Sequence, residues 1–262
     1  MSYAHAVVLG LVQGLTEFLP VSSSGHLILV PQFFGWHDQG LAVDAALHLG
    51  TLAALVAYFR VELIALVTGA LSRRLLLVLS LATVPAVIAG FALGAAIETH
   101  LRAPLLIAAT TAFWAGVMWA ADRRAAPPVE RPGDPLERIG WSQGVAIGCA
   151  QAIALIPGTS RSGITITTGL LGGLDRATAA RFSFLLGIPV TAGAGLFKTL
   201  HLLETGLPAG QGASLGVAIL ASFVSGWFAV WFLVRHLKQR SLLPFVLYRF
   251  ALSTLILLIT LF

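Results

Sequence analysis

Pro157-Gly158-Thr159-Ser160-Arg161-Ser162-Gly163 separates two apolar runs, Val145–Ile156 and Ile164–Leu171. Near the N-terminus Pro20-Val21-Ser22-Ser23-Ser24-Gly25-His26 separates Ala6–Leu19 from Leu27–Trp36 in the same way. Proline and glycine break a helix between such arms. Each arm, of about 8–14 residues, reaches about 12–21 Å as a helix and cannot cross about 30 Å of hydrocarbon alone. Two short helices joined by a polar turn therefore read as a re-entrant hairpin. Irregular backbone at membrane depth survives only where protein buries it or a wet cavity receives it.

The two broken segments match each other. Gly10-x2-Gln13 recurs as Gly148-x2-Gln151, and Ser22-x-Ser24-Gly25 as Ser160-x-Ser162-Gly163, each 138 residues on. Phe59 and Phe197 keep the offset of 138, while Gly90 to Gly226 is 136 and Pro104 to Pro244 is 140. Six further stretches are long enough to span, or nearly so: roughly 41–59, 75–97, 103–121, 182–200, 214–234 and 243–262. Each half is then one hairpin plus three spans, and because three is odd the second half lies upside down relative to the first. The reading is an all-α integral membrane protein, with six transmembrane helices and two re-entrant helix hairpins arranged as an inverted-topology repeat. The first repeat is 1–121 with its hairpin at 6–36, the cytoplasmic linker is 122–140, and the second repeat is 141–262 with its hairpin at 145–171.

Composition agrees. The 262 residues are 57% hydrophobic and 10% charged, with a mean hydropathy of +0.90. A soluble domain carries about 25% charge, so an ordinary cytosolic enzyme, a disordered chain and a nucleic-acid binder are excluded. The net charge of +5 belongs to loops. With the N-terminus outside, inner segments hold twelve Lys and Arg, including Arg60, Arg73, Arg123, Arg131, Arg176 and Arg235, and outer ones hold two, Arg102 and Lys198. That bias predicts both termini on the outer, periplasmic side. The N-terminus lacks a basic segment and a cleavage site and reads as no removable signal peptide. Cys149 stands alone, which excludes an intrachain disulfide and a thiolate cluster. It reads as a small core residue.

The polar tips carry the chemistry. The first offers Gln13, Glu17, Ser22, Ser23, Ser24 and His26, with Gln13 and Glu17 on one helix face at i,i+4. The second offers Thr159, Ser160, Arg161, Ser162 and Thr165. An ionisable group in a span costs about 2.5–3.5 kcal/mol on insertion scales, which argues against idle placement. The bland readings are specific: Glu17 snorkelling, His26 a satisfied core residue, Arg161 a structural partner of Glu17, and the serines capping a helix that starts near Gly25. Asp44 and His48, also i,i+4, read as a pair. Arg249 reads as structural, bonding broken-helix carbonyls, and Glu62, Glu98 and Glu204 as interfacial loop residues. Arginine presents a planar fork to phosphate oxygens, and helix N-termini favour anions. Glu17 with Gln13 suits a divalent cation, Mg²⁺ or Ca²⁺. Hydroxyls and a histidine supply a nucleophile and a proton carrier. The set suits a diphosphate in an apolar-walled pocket, and the owner of such a headgroup and an oily tail is a polyprenyl phosphate lipid.

Gln13-x3-Glu17 within Gly14–His26, together with Pro157–Gly163, resembles the undecaprenyl-diphosphate phosphatases of the bacitracin-resistance type. The resemblance extends over nearly the whole chain. It implies an enzyme of the bacterial inner (plasma) membrane that hydrolyses undecaprenyl diphosphate to undecaprenyl phosphate and inorganic phosphate, recycling the carrier lipid for peptidoglycan synthesis. The family's acidic motif falls on Gln13 and Glu17, its histidine on His26, and its Ser-Arg motif on Ser160 and Arg161 with Thr165 downstream. The motif accepts Glu or Gln at its first acidic position, and Gln13 leaves Glu17 as the one carboxylate there. The expected catalytic residues are Glu17, His26, Ser160 and Arg161, with Glu17 also the metal ligand. The expected substrate contacts are Gln13, Ser22, Ser23, Ser24, Ser162 and Thr165. Ser160, His26 and water remain open as nucleophile, and a homodimer is compatible with the reading. The rival is a secondary transporter or lipid flippase, for which inverted repeats are the usual plan; a structural scaffold stands third.

Overall fold

The computed structural model describes residues 1–36, 40–128, 132–205 and 212–261. Among these, the regular structure is entirely helical: α1 (Tyr3–Phe18), α2 (Ser23–Phe33), α3 (Gly40–Tyr58), α4 (Arg60–Thr68), α5 (Arg73–His100), α6 (Pro104–Asp122), a 3₁₀ turn at Pro135–Arg138, α7 (Trp141–Ile153), α8 (Arg161–Leu171), α9 (Arg176–Thr205), α10 (Gly212–Leu237) and α11 (Leu243–Leu261). Arg131 and the side chains of Asp44, Glu98, Lys198 and Glu204, which entered the sequence reading, lie outside what is described.

Helices α5, α6, α9, α10 and α11 are each long and apolar enough to cross a membrane. The α3–α4 pair makes up to a sixth span, bent by 67° at its break. This corrects the expected single span at 41–59 followed by a loop. The chain stays apolar through Val67, so a helix resumes after Phe59 in a new direction. Glu62 is then in the first turn of α4 and pairs with Arg181 at 3.2 Å, not in a loop. The outward face of α5 presents Leu77, Leu81, Val84, Ile88 and Phe91, all exposed. A water-facing surface does not carry so continuous an apolar stripe; this is a multi-pass membrane protein. Cys149 is exposed on that kind of surface, so the expectation of a core position fails. Helix rotation, which no single residue encodes, turned it outward.

Close helix approach rests on small residues, as in membranes generally. α1 lies along α10, α7 along α5, α6 along α11 and α3 along α9. A β-carbon on Gly10 would stand 2.6 Å from the Ala218 carbonyl oxygen of α10, and one on Gly148 would stand 2.6 Å from Cα of Ala82 on α5. Gly148→Ala is therefore expected to push α7 off α5 and to cost about 1–3 kcal/mol of stability. Thermal unfolding in detergent checks this; an unchanged midpoint would mean that the two helices yield freely.

At the end of the bundle that carries the linker, Arg176 pairs with Asp122 at 2.6 Å, and Arg181 pairs with Asp134 at 2.9 Å as well as with Glu62. Burial alone would raise the Asp134 carboxyl, but hydrogen bonds from Arg181 and the Leu136 amide hold it below the ordinary carboxylate value. These pairs fasten the linker to α9, so the two hairpins are held against a fixed frame.

Candidate active site

Each hairpin turns on a serine in the left-handed region, Ser22 with φ 77° and Ser160 with φ 71°. They are the positive-φ residues other than glycine among those described, and they stand at equivalent places in the two tips. Such backbone costs about 1–3 kcal/mol and persists only where the surroundings over-determine it. In both tips the strained serine meets the serine two residues on: Ser22 Oγ to Ser24 Oγ is 3.3 Å, and Ser160 Oγ to Ser162 Oγ is 3.4 Å. Ser160 also caps α8, accepting from the Gly163 amide at 3.2 Å. The helix expected to start near Gly25 already begins at Ser23.

Arg249 of α11 fastens the two tips to one another. It is 1% exposed. Its guanidinium donates to the carbonyls of Thr111 (3.2 Å), Thr159 (3.1 Å), Gly158 (2.8 Å) and Pro20 (3.4 Å). One side chain thus satisfies broken-helix carbonyls from both hairpins and from α6, the structural role expected of it. Ser162 adds a second tie, donating to the Leu19 carbonyl at 3.3 Å.

Between the joined tips lies the pair of opposite charges. Arg161 Nη2 donates to Glu17 Oε1 at 2.8 Å. Glu17 Oε2 accepts from Ser23 Oγ at 2.8 Å and from Gln13 Nε2 at 3.1 Å. His48 Nε2 is 3.8 Å from the same oxygen, so His48 faces Glu17 across α1 and α3. Thr165 donates to the Arg161 carbonyl at 2.7 Å and meets Ser183 Oγ of α9 at 2.6 Å, while Arg161 Nη1 reaches the Ser183 carbonyl at 3.5 Å. The arginine fork is therefore held by Glu17 and by the Ser183 carbonyl before any ligand arrives.

A cavity of about 300 Å³ opens on this pair. Glu17, Ser22, Ser23, Ser24, Ser160, Arg161, His48, Gln151, Thr191 and Arg102 give it a polar end. Leu27, Ala86, Ile97, Leu155, Val190 and Ala194 give it apolar walls. Of the expected substrate contacts, the three serines of the first tip line it. Gln13, Ser162 and Thr165 do not; they are buried behind it, supporting Glu17, the turn and Arg161. His26 does not line it either. Its Nδ1 is 2.7 Å from the Ser22 carbonyl and must donate there, which leaves Nε2 of the neutral ring to accept from the Tyr248 hydroxyl at 2.6 Å.

The donor set bears on a cation. The Gln13 amide that donates to Glu17 leaves its Oε1 buried without a partner. No group of three or more His, Cys, Asp or Glu is gathered among the described residues. On the cavity wall one carboxylate and a serine hydroxyl fit a hard divalent ion only where water and substrate phosphate complete its shell, not a cage built from protein alone.

Sequence reasoning missed Tyr248, Ser183 and Gln151. Tyr248 and Ser183 stand in apolar helices with no local signal. Gln151 had one, its match to Gln13 in the internal repeat.

The chain matches the family model described as bacitracin resistance protein BacA over residues 6–255. It is 47% identical over 267 residues to an undecaprenyl-diphosphatase of Alcanivorax borkumensis, covering 98% of each chain. It is 45% identical over 270 residues to undecaprenyl-diphosphatase 2 of Stutzerimonas stutzeri, again 98% of each. It is 44% identical over 261 residues to the undecaprenyl-diphosphatase of Pelobacter propionicus, covering 95% of this chain and 94% of the relative.

Proposed function

The chain belongs to the bacitracin resistance protein family, and from that premise we infer that the cavity between its hairpin tips is the centre of an undecaprenyl-diphosphatase. The enzyme hydrolyses undecaprenyl diphosphate to undecaprenyl phosphate and inorganic phosphate, recycles the carrier lipid for peptidoglycan synthesis and so confers bacitracin resistance. The observation that carries the site is the 2.8 Å Arg161–Glu17 pair in the lining of a cavity that also has apolar walls. It joins a headgroup-binding charge to walls that suit a prenyl tail.

Arg161 binds phosphate oxygens and stabilises the charge that develops as the terminal phosphoryl group transfers. Glu17 holds the guanidinium fork in one orientation. Of the serines of the first tip, the Ser22–Ser24 pair keeps one hydroxyl proton for a phosphate oxygen, while Ser23 donates to Glu17. Ser160 lines the cavity and water can enter it, whereas His26 does not line it; this favours Ser160 or water as the attacking group. His26 is the proton carrier. Its tautomer is set by Ser22, and exchange of its Tyr248 partner for a hydroxyl on the cavity side brings Nε2 into use. Glu17 would hold a divalent cation, Mg²⁺ or Ca²⁺, which when bound would neutralise diphosphate charge.

The hairpins α1–α2 and α7–α8 are re-entrant in this reading, and the two halves are inverted repeats. The equivalent strained serines support it, as does the exchange of partners in which α1 lies on α10 and α7 on α5. The twelve-to-two bias of basic residues supports an inner-membrane enzyme with both termini outside. Exposed Arg102, on the outer side in that topology, belongs to the cavity lining and supports a mouth on that side.

The test is phosphate release from a polyprenyl diphosphate by detergent-solubilised protein, with and without a chelator. Release that chelation abolishes is expected. No release beside an active control phosphatase would favour a transporter, and release indifferent to chelation would remove the cation.

A further inference from the structure

Gln151 of α7 is 2% exposed and lines the same cavity as Glu17, Ser160 and Arg161. Both its Oε1 and its Nε2 lack a hydrogen-bond partner. A buried native amide with neither end satisfied is rare and calls for a cause. The internal repeat supplies the comparison. Gln13 satisfies its Nε2 on Glu17, four residues further along the same helix face. Four residues after Gln151 stands Leu155, so no carboxylate is there to accept. An apolar side chain of similar length would fit beside Ala154, Leu155 and Pro157 without leaving polar atoms stranded. The amide is retained at a cost to the empty protein, and its free atoms belong to the wall of a space that a ligand enters.

We propose that Gln151 is a substrate-binding residue for the diphosphate headgroup. Its Nε2–H donates to a phosphoryl oxygen, and its Oε1 accepts from a water or a protonated phosphate hydroxyl in the same space. A neutral amide serves here because it adds a directional donor without competing with Arg161 for Glu17. The proposal rests on the diphosphatase reading of the cavity.

Gln151→Leu and Gln151→Glu in the full-length enzyme test it, assayed for phosphate release from a polyprenyl diphosphate and for thermal unfolding without ligand. Gln151→Leu should raise KM about tenfold, the loss of one hydrogen bond to a charged acceptor, while the ligand-free midpoint stays level or rises. Gln151→Glu should lose more, because a carboxylate repels phosphate oxygens. If Gln151→Leu is not produced in folded form, Gln151→Met carries the same measurement. A wild-type KM in the apolar variant overturns the proposal. So does a fall in the ligand-free midpoint with KM unchanged, which marks a packing role. Wild-type protein that releases no phosphate would instead remove the diphosphatase reading itself.

Discussion

Arg161→Ala releases phosphate from a polyprenyl diphosphate at least about 10³-fold more slowly than the wild type, the range expected on removing a principal donor to a transferring phosphoryl group. Nothing else described in the cavity replaces its fork, since Arg249 is committed to backbone carbonyls and Arg102 is exposed at the mouth. Arg161→Lys keeps the charge but loses the planar pair of donors, and most of the turnover should go with it. The alanine variant also strands Glu17, which is 8% exposed. Breaking a buried pair from one side costs about 3–5 kcal/mol. The double variant Arg161→Ala with Glu17→Gln should regain thermal stability and remain inactive, which separates the chemistry from the folding. Near-normal phosphate release by the single variant would take the reaction away from this cavity.

Arg249→Met should have the largest effect on stability. It strands the carbonyls of Pro20, Thr111, Gly158 and Thr159 in a region with no water to accept them. Each lost partner costs about 1–3 kcal/mol, and partial relaxation of the tips brings the total to about 3–5 kcal/mol. The tips then separate, so activity falls as well, by about 10²-fold if Arg161 moves by an ångström from its working position. A lowered thermal midpoint together with lost turnover is the expected pair of results. Retention of both would mean that the Ser162–Leu19 bond and the Arg161–Glu17 pair suffice to hold the hairpins together. The contrast with the Arg161/Glu17 double variant is diagnostic: that protein is stable and inactive, this one unstable and inactive.

The route to Glu17 and Arg161 was open in the sequence because each is an ionisable residue inside an apolar run that proline and glycine interrupt. Their 2.8 Å contact across 144 residues followed from the matching tips. Arg249 was legible as a structural residue for the same reason, although its partners were not. The reading of His48 against Asp44 falls on a side chain outside the described residues; what the sequence did not offer is that His48 also faces Glu17. His26 was expected in the same cluster as Glu17 and Arg161 and is turned to Tyr248, 222 residues away, by the Ser22 carbonyl.

Helical class and the presence of several helices long and apolar enough to cross a membrane were determined by the sequence itself. Hydropathy and helix breaking are properties of consecutive residues, and a chain in hydrocarbon must satisfy its backbone within each segment. The bend after Phe59, the outward face of Cys149, the Tyr248 partner of His26 and the stranded amide of Gln151 were decided only by tertiary structure. Each depends on how far one helix is rotated and how closely it crosses another. Those quantities are set by packing among residues that lie a hundred or more positions apart, and no local pattern contains them.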